Sequence, residues 1–301
     1  MNFTEASEQY LRDLENRQVR RSSLKCYESI LRVHLRPRWG HVTLEDIASQ
    51  NNRALKELVH DLRDKYKPAS IQAICLVFKQ VLDFPCDANG VRLYRCEWNR
   101  TFACIPTINP LEQRAPMIST EELQRVVADH RDRLLFATLA GTGMRISECL
   151  ALRSSDWDQE AGILFIRSGK TASAVREIDI AHALNDWLKS AIEPDQEKLF
   201  PASLSTYRER SRGVTGAFHS MRRFRLTHLR RCGMPEDLLR YALGHADRSI
   251  SDRYSRLRLD RAFRREQVEK CGLGFVLSEH LSYEPKPEIV VSGNLEQGAG
   301  A

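Results

Sequence analysis

Six dispersed side chains in this 301-residue sequence are of types that could act together on a negatively charged group. Arg145 follows a glycine turn in the run Gly141-Thr142-Gly143-Met144-Arg145-Ile146-Ser147-Glu148-Cys149-Leu150-Ala151-Leu152 and stands near a predicted helix N-terminus. A cation there opposes the helix dipole unless an anion sits beside it. Taken alone, a salt bridge to Glu148 one turn on is the simpler account. His219-Ser220-Met221-Arg222 sets an imidazole and a guanidinium at i, i+3 on one helical face, leaving Met221 and Phe224 to face a core. Leu243-Gly244-His245 precedes Tyr254 by nine residues, and Lys170 falls in the segment Arg167-Ser168-Gly169-Lys170-Thr171 between two predicted strands. Each is unremarkable by itself, since a lone His is more often a satisfied surface or core residue and a lone Tyr an amphipathic anchor. Tyr241, in the apolar stripe Leu239-Arg240-Tyr241-Ala242-Leu243, reads as core packing. Together the six supply guanidiniums that bind anions, imidazoles and an amine that carry protons, and a phenol that can attack.

These side chains need elements to hold them, and the hydrophobic spacing supplies a mainly helical chain with one small β-hairpin. From Phe3 to about Phe84, apolar residues at spacings of three and four predict about four amphipathic helices, with Thr43-Leu44-Glu45-Asp46 opening a short extra one. Residues 85–117 contain Pro85, Gly90, Pro106, Pro110 and Pro116 and read as a linker with some extended structure. A second domain begins at Ser119-Thr120-Glu121-Glu122, a capping-box sequence, and runs to about Gly274. Within it, 162–166 and 174–180 predict the hairpin, with Lys170 in its connection. The expected organisation is therefore a helical domain over 1–84, a linker over 85–117, a larger domain over 118–274, and an acidic, mobile tail over 275–301.

Composition excludes several classes. Mean hydropathy is -0.45, no stretch approaches the ~20 apolar residues a bilayer span needs, and the N-terminus is polar and acidic, so a cytoplasmic protein is expected. Eight cysteines lack any Cys-x-x-Cys pair and read as reduced thiols; no metal site is expected. Nucleotide-binding, dinucleotide-binding and zinc-protease patterns are absent, as is a Gly-x-Ser-x-Gly elbow. The net charge of +6 is unevenly spread: residues 1–110 carry +4, 111–218 carry -2, 219–265 carry +8 and 266–301 carry -4. All 13 basic residues of the +8 block are arginine, whose planar fork binds phosphate oxygens bidentately.

The order Arg145, Lys170, His219-x-x-Arg222, Leu243-Gly244-His245 and Tyr254 resembles the catalytic signature of the tyrosine recombinases, the phage integrase family. The run from Thr142 to Leu152 matches that family's Thr-Gly-x-Arg-x-x-Glu-x-Leu-x-Leu segment, and Tyr254 has the spacing of its nucleophile. The resemblance covers roughly 115–270. It implies a SAM-like helical core-binding domain followed by a mixed α/β catalytic domain, with the first part assigned by position and pattern only. It also implies roles. Tyr254 attacks a DNA phosphodiester to leave a 3′-phosphotyrosine link, Arg145 and Arg222 bind the non-bridging oxygens, and His245 adds a hydrogen bond. Lys170 protonates the leaving 5′-oxygen, His219 assists as base or donor, and Glu148 orients Arg145. No ATP, metal or other cofactor is implied. A catalytically silent DNA-binding protein of the same fold and a type IB topoisomerase are the competing expectations.

The implied partner is double-stranded DNA with specific core sites, gripped between the two basic blocks. Arg20, Arg21 and Lys25 at a helix start, and Arg223 and Arg225 in the arginine block, are the expected phosphate contacts. By the same resemblance the chain would act as a homotetramer on two paired sites, with Arg258–Cys271 a candidate for exchange between neighbours. It would belong to a mobile element or chromosome-maintenance system, associate with the nucleoid when acting, and use accessory DNA-bending proteins.

Overall fold

A computed structural model describes residues 1–50, 52–94, 97–109, 115–169, 172–193, 195–245 and 256–277. Lys170 and Tyr254 lie outside the described residues. The chain divides near residue 113 into two compact units.

In the first unit, α1 (Phe3–Asn16) starts at a complete capping box: Asn2 Oδ1 accepts from Glu5 N (2.9 Å) and Glu5 Oε2 accepts from Asn2 N (3.0 Å). α2 (Arg21–Ile30) runs through a π-helical turn (Leu31–Leu35) into α3 (Arg36–Trp39), and α4 (Leu44–Gln50), α5 (Asn52–Arg63) and α6 (Pro68–Asp83) follow. The apolar stripes read from the sequence meet in one core, where Trp39 stacks on Phe78 at 4.4 Å and Phe3, Leu31, Leu35, Leu55 and Leu82 are fully buried. The expected linker is a different object over its described part. The described residues between 85 and 109 pack on this core: Ala103 is buried, Trp98 meets Phe78 edge-on at 5.6 Å, and Asn52 brackets the segment through Glu97 O (2.8 Å) and Asn99 N (2.7 Å). Gln72 donates to Pro106 O (2.7 Å). Its backbone groups find partners on α5 and α6, which an independent linker would lack.

The second unit begins with α7 (Thr120–Asp129). Ser119 Oγ accepts from Glu122 N (3.1 Å), but the Glu122 carboxylate accepts from Thr215 N (2.9 Å), so only half of the expected capping box forms. The buried α8 (Arg133–Thr142) leads to the one-turn α9 (Ile146–Cys149). The predicted hairpin is β2 (Ile163–Ile166) against β3 (Arg176–Asp179), with Ile163 opposite Asp179 and Ile166 opposite Arg176; a two-residue strand, β1 (Trp157–Asp158), adds a third antiparallel member on the β2 edge. Helices α10 (His182–Ala191), α11 (Leu204–Arg210), α12 (Ala217–Arg231), α13 (Glu236–Leu243) and α14 (Arg261–Cys271) complete the described elements. α12 packs on α8, with Phe136 and Phe218 stacked at 5.9 Å. The start of the expected tail is anchored: Phe275 is buried in this core, and Val276 N donates to Gln124 Oε1 (2.9 Å). No helix among the described residues is long and apolar enough to cross a membrane.

Candidate active site

α8 stops where Gly143 enters the left-handed region (φ +71°) and caps Leu139 O at 2.8 Å. A Cβ here would lie 2.6 Å from Leu243 Cδ2 and 3.2 Å from Arg225 Cγ, so both the turn and the packing require glycine. The chain then reverses into α9, and Arg145 immediately precedes it. Glu148, three residues on, reaches back with its carboxylate. Oε2 accepts from Arg145 N (2.9 Å) and Oε1 from Arg145 Nη1 (2.6 Å). The salt bridge expected from the sequence is therefore present, and it fixes a guanidinium that stays about one-third exposed while Glu148 is buried.

Arg222 enters from α12. Its buried guanidinium donates from Nη1 to Gly143 O (2.7 Å) and from Nη2 to Leu243 O (2.6 Å), tying the turn before Arg145 to the end of α13. Nη2 also lies 2.9 Å from His245 Nε2. Because a guanidinium only donates, this contact assigns His245 the neutral tautomer with its proton on Nδ1. His245 stands just past Gly244, a second left-handed residue (φ +63°) that ends α13.

The electrostatics follow from crowding. Burial, then the neighbouring Arg145, pull Arg222 down to about 10, leaving it cationic at neutral pH. Burial, followed by Arg223, Arg222 and Arg145, lowers His219; burial, followed by Arg222 and Arg145, lowers His245. Both imidazoles are thus held neutral. Glu148 is the opposite case: burial raises it, but the bond and charge of Arg176, then the bonds from Arg145, bring it below the ordinary carboxylate range. Arg176 Nη2 lies 3.0 Å from Glu148 Oε2, so one carboxylate is shared by Arg145 and Arg176 beside the charge of Arg222. Three guanidiniums to one carboxylate leave an excess of positive charge, which suits an anion that becomes more negative as it reacts.

The structure thus brings Arg145, Arg222, His219, His245 and Glu148 into one electrostatic cluster. Arg225 is a correction. It is 2% exposed and donates to Gly272 O, because its place on α12 faces the core, so its guanidinium is not presented to DNA. Arg223 donates to Pro116 O (2.5 Å) and remains half-buried. Arg20, Arg21 and Lys25 are exposed at the start of α2, in the other unit. Tyr241 has a structural place, its hydroxyl accepting from Glu177 N (3.1 Å) and its ring lying under the Arg264 guanidinium at 5.4 Å. Arg176 was missed by sequence reasoning. The available signal was its phase, since two residues before the buried Ile178 it shares the core-facing side of β3, where a charge must have partners. No cluster of three or more His, Cys, Asp and Glu side chains suited to a metal occurs among the described residues.

Residues 117–261 match the phage integrase family. The tyrosine recombinase XerA of Thermococcus onnurineus is 27% identical over 180 residues, which cover 52% of this chain and 62% of that protein. XerA of Pyrococcus furiosus is 30% identical over 162 residues, covering 48% and 55%. The chain thus spans less than two thirds of the length of these curated relatives. Among solved structures, the Tn1549 transposon integrase in complex with a circular intermediate DNA has a TM-score of 0.61 at 16% identity, covering 84% of this chain and 98% of that one. A lambda integrase dimer bound to a core site has a TM-score of 0.60 at 19% identity, covering 85% and 97%. At these identities the structural likeness establishes the fold.

Proposed function

We propose, from the premise that residues 117–261 belong to the phage integrase family, that this chain is a site-specific DNA recombinase that cuts and rejoins strands through a covalent tyrosine link. The observation that carries the proposal is the cationic cluster in which Arg145 and Arg222 are fixed by Glu148, Gly143 O and Leu243 O beside a neutral His245. The phenolic oxygen of Tyr254 attacks phosphorus, the bond to the 5′-oxygen breaks, and a 3′-phosphotyrosine forms. A phenol with a pKa of ~10 is a weak nucleophile, and nearby cations favour its phenolate. His219, held neutral, is suited to take the phenolic proton. Lys170 gives its proton to the leaving oxygen. Arg145, Arg222 and the Nδ1 proton of His245 stabilise the charge gathering on the non-bridging oxygens. Bond energy is conserved in the phosphotyrosine link, so strand exchange needs no ATP and no divalent ion.

Lambda integrase has been solved as a tetramer bound to a Holliday junction, at 18% identity to this chain. A tetramer on two paired sites is the corresponding expectation here, with Arg20, Arg21, Lys25 and Arg223 as backbone contacts. The test uses a supercoiled plasmid carrying the DNA that flanks the coding region, in the presence of EDTA and without ATP. An SDS-stable protein–DNA adduct with recombinant products supports the proposal. Relaxed plasmid without recombinants would favour topoisomerase activity, and binding without an adduct would favour a silent DNA-binding protein.

A further inference from the structure

Arg176 has a side chain with 0% exposure, yet its guanidinium bonds to three separate segments around the site. Nη2 donates to Glu148 Oε2 (3.0 Å), Nε to Ala242 O (2.9 Å) and Nη1 to Ala174 O (2.8 Å). Glu148 is the carboxylate that holds Arg145, and Ala242 precedes the Leu243-Gly244-His245 turn, whose Leu243 carbonyl also takes Arg222. The guanidinium also lies against that turn, because a Cβ on Gly244 would come within 2.7 Å of Arg176 Nη1.

Stability alone does not call for this arrangement. A buried ion pair replaced by apolar side chains of similar volume is often as stable or more so. The planar fork of arginine, however, fixes three acceptors in one plane, which neither an apolar residue nor the point charge of lysine does. Arg176 also divides the negative charge of Glu148. With Arg176 absent, Arg145 is the one remaining side chain hydrogen-bonded to Glu148, and more of that negative charge offsets the cation that the site must offer to an anion.

We infer that Arg176 is a positioning residue for strand cleavage. It sets Arg145, through Glu148, and His245, through Ala242 and Gly244, relative to one another about the reacting phosphate. It touches no substrate itself, and the inference rests on the strand-transfer reading above.

The test uses the full chain with Arg176→Gln and Arg176→Lys. DNA affinity is measured at fixed salt, and the single-turnover rate of adduct formation is measured at saturating DNA. The scissile linkage is either an ordinary phosphodiester or a methylphosphonate, which has one non-bridging oxygen replaced by methyl and so lacks the charge that Arg145 and Arg222 must meet. Affinity should stay within about 3-fold of wild type, while Arg176→Gln slows phosphodiester cleavage by about 10²-fold and Arg176→Lys recovers about 10-fold of that. On the methylphosphonate the deficit should shrink to about 3-fold or less, because the misplaced charge is no longer needed. Cleavage by Arg176→Gln at the wild-type rate would overturn the inference. So would an equal loss on both linkages, which would mark a purely structural role. Should Arg176→Gln fail to fold, Arg176→Lys carries the same comparison. Absence of any adduct from the wild-type chain is a separate result, since it would overturn the strand-transfer reading and this inference with it.

Discussion

Removing the Arg222 side chain would do two kinds of damage, because the same guanidinium supports the fold and the proposed chemistry. Gly143 O and Leu243 O would lose their donor and Glu148 part of its cationic surroundings. Arg222→Ala should therefore cost about 3 kcal/mol in urea unfolding, and also slow adduct formation by about 10²–10³-fold. Normal stability together with normal cleavage would contradict the assignment. The imidazoles give a second prediction at this scale. His219 and His245 both bind a proton less readily in the folded chain than at the ordinary value of 6.5, so the unfolded state binds more protons below that value. Stability should accordingly fall as pH drops through 6.5, before carboxylates near 4.5 titrate. Melting temperatures measured between about pH 7.5 and 5.5 should show this fall in the wild type and a flatter profile in the His219→Gln, His245→Gln double variant. Identical profiles would remove the imidazoles as the cause. At this scale the order and spacing, through the family resemblance, pointed to Arg145, Arg222, His219, His245 and Glu148, and the fold brings these five side chains near one another. The places of Arg176 and Arg225 were not legible, because whether an arginine faces a core depends on partners supplied by segments remote in sequence, here Glu148, Ala242 and Gly272.

Two left-handed glycines connect the elements to the site, Gly143 between α8 and α9 and Gly244 after α13. Gly143→Ala would place a methyl against Leu243 and force a disfavoured backbone, costing about 2 kcal/mol or more in denaturant unfolding. A loss below about 0.5 kcal/mol would show that the turn relaxes freely. A second joint holds α14 to the sheet. Arg264 bonds Asp179 at 2.7 Å and Glu177 at 2.7 Å, all within or beside the hairpin strand β3. Asp179→Asn leaves a buried guanidinium with reduced charge compensation and should cost about 3 kcal/mol. Faster amide exchange in α14 than in α8 would locate the damage at this joint. The long helices were legible because their apolar spacing matches one period over many residues, and the β2–β3 hairpin because two short apolar-rich runs flank a Gly-containing turn. β1 was not, since two residues carry no period. The described residues between 85 and 109, part of the segment read as a linker over 85–117, have anchors that composition does not show, because proline and glycine describe the local backbone whereas the bonds from Asn52 and Gln72 act over separations of more than 30 residues.

Each unit has its own buried core, so the chain satisfies the physical requirement for two independently packed bodies. The net charge of +6 understates the positive field, which is concentrated in residues 1–110 and in the arginine block from 219 to 265. Binding to duplex DNA should weaken steeply with salt, and replacing Arg20, Arg21 and Lys25 together by glutamine should make the log–log slope shallower by about 3. An unchanged slope would show that the first unit's helix start does not meet phosphate. Partner sequence and assembly lie in groove contacts and interfaces that the local pattern of one chain does not encode. The proposed role of Tyr254 as the nucleophile that forms the covalent link is tested by a nicked suicide duplex. The wild-type chain should be trapped as an SDS-stable adduct, while Tyr254→Phe should bind the same duplex with similar affinity and form none. A Tyr254→Phe chain still trapped covalently on DNA would contradict it.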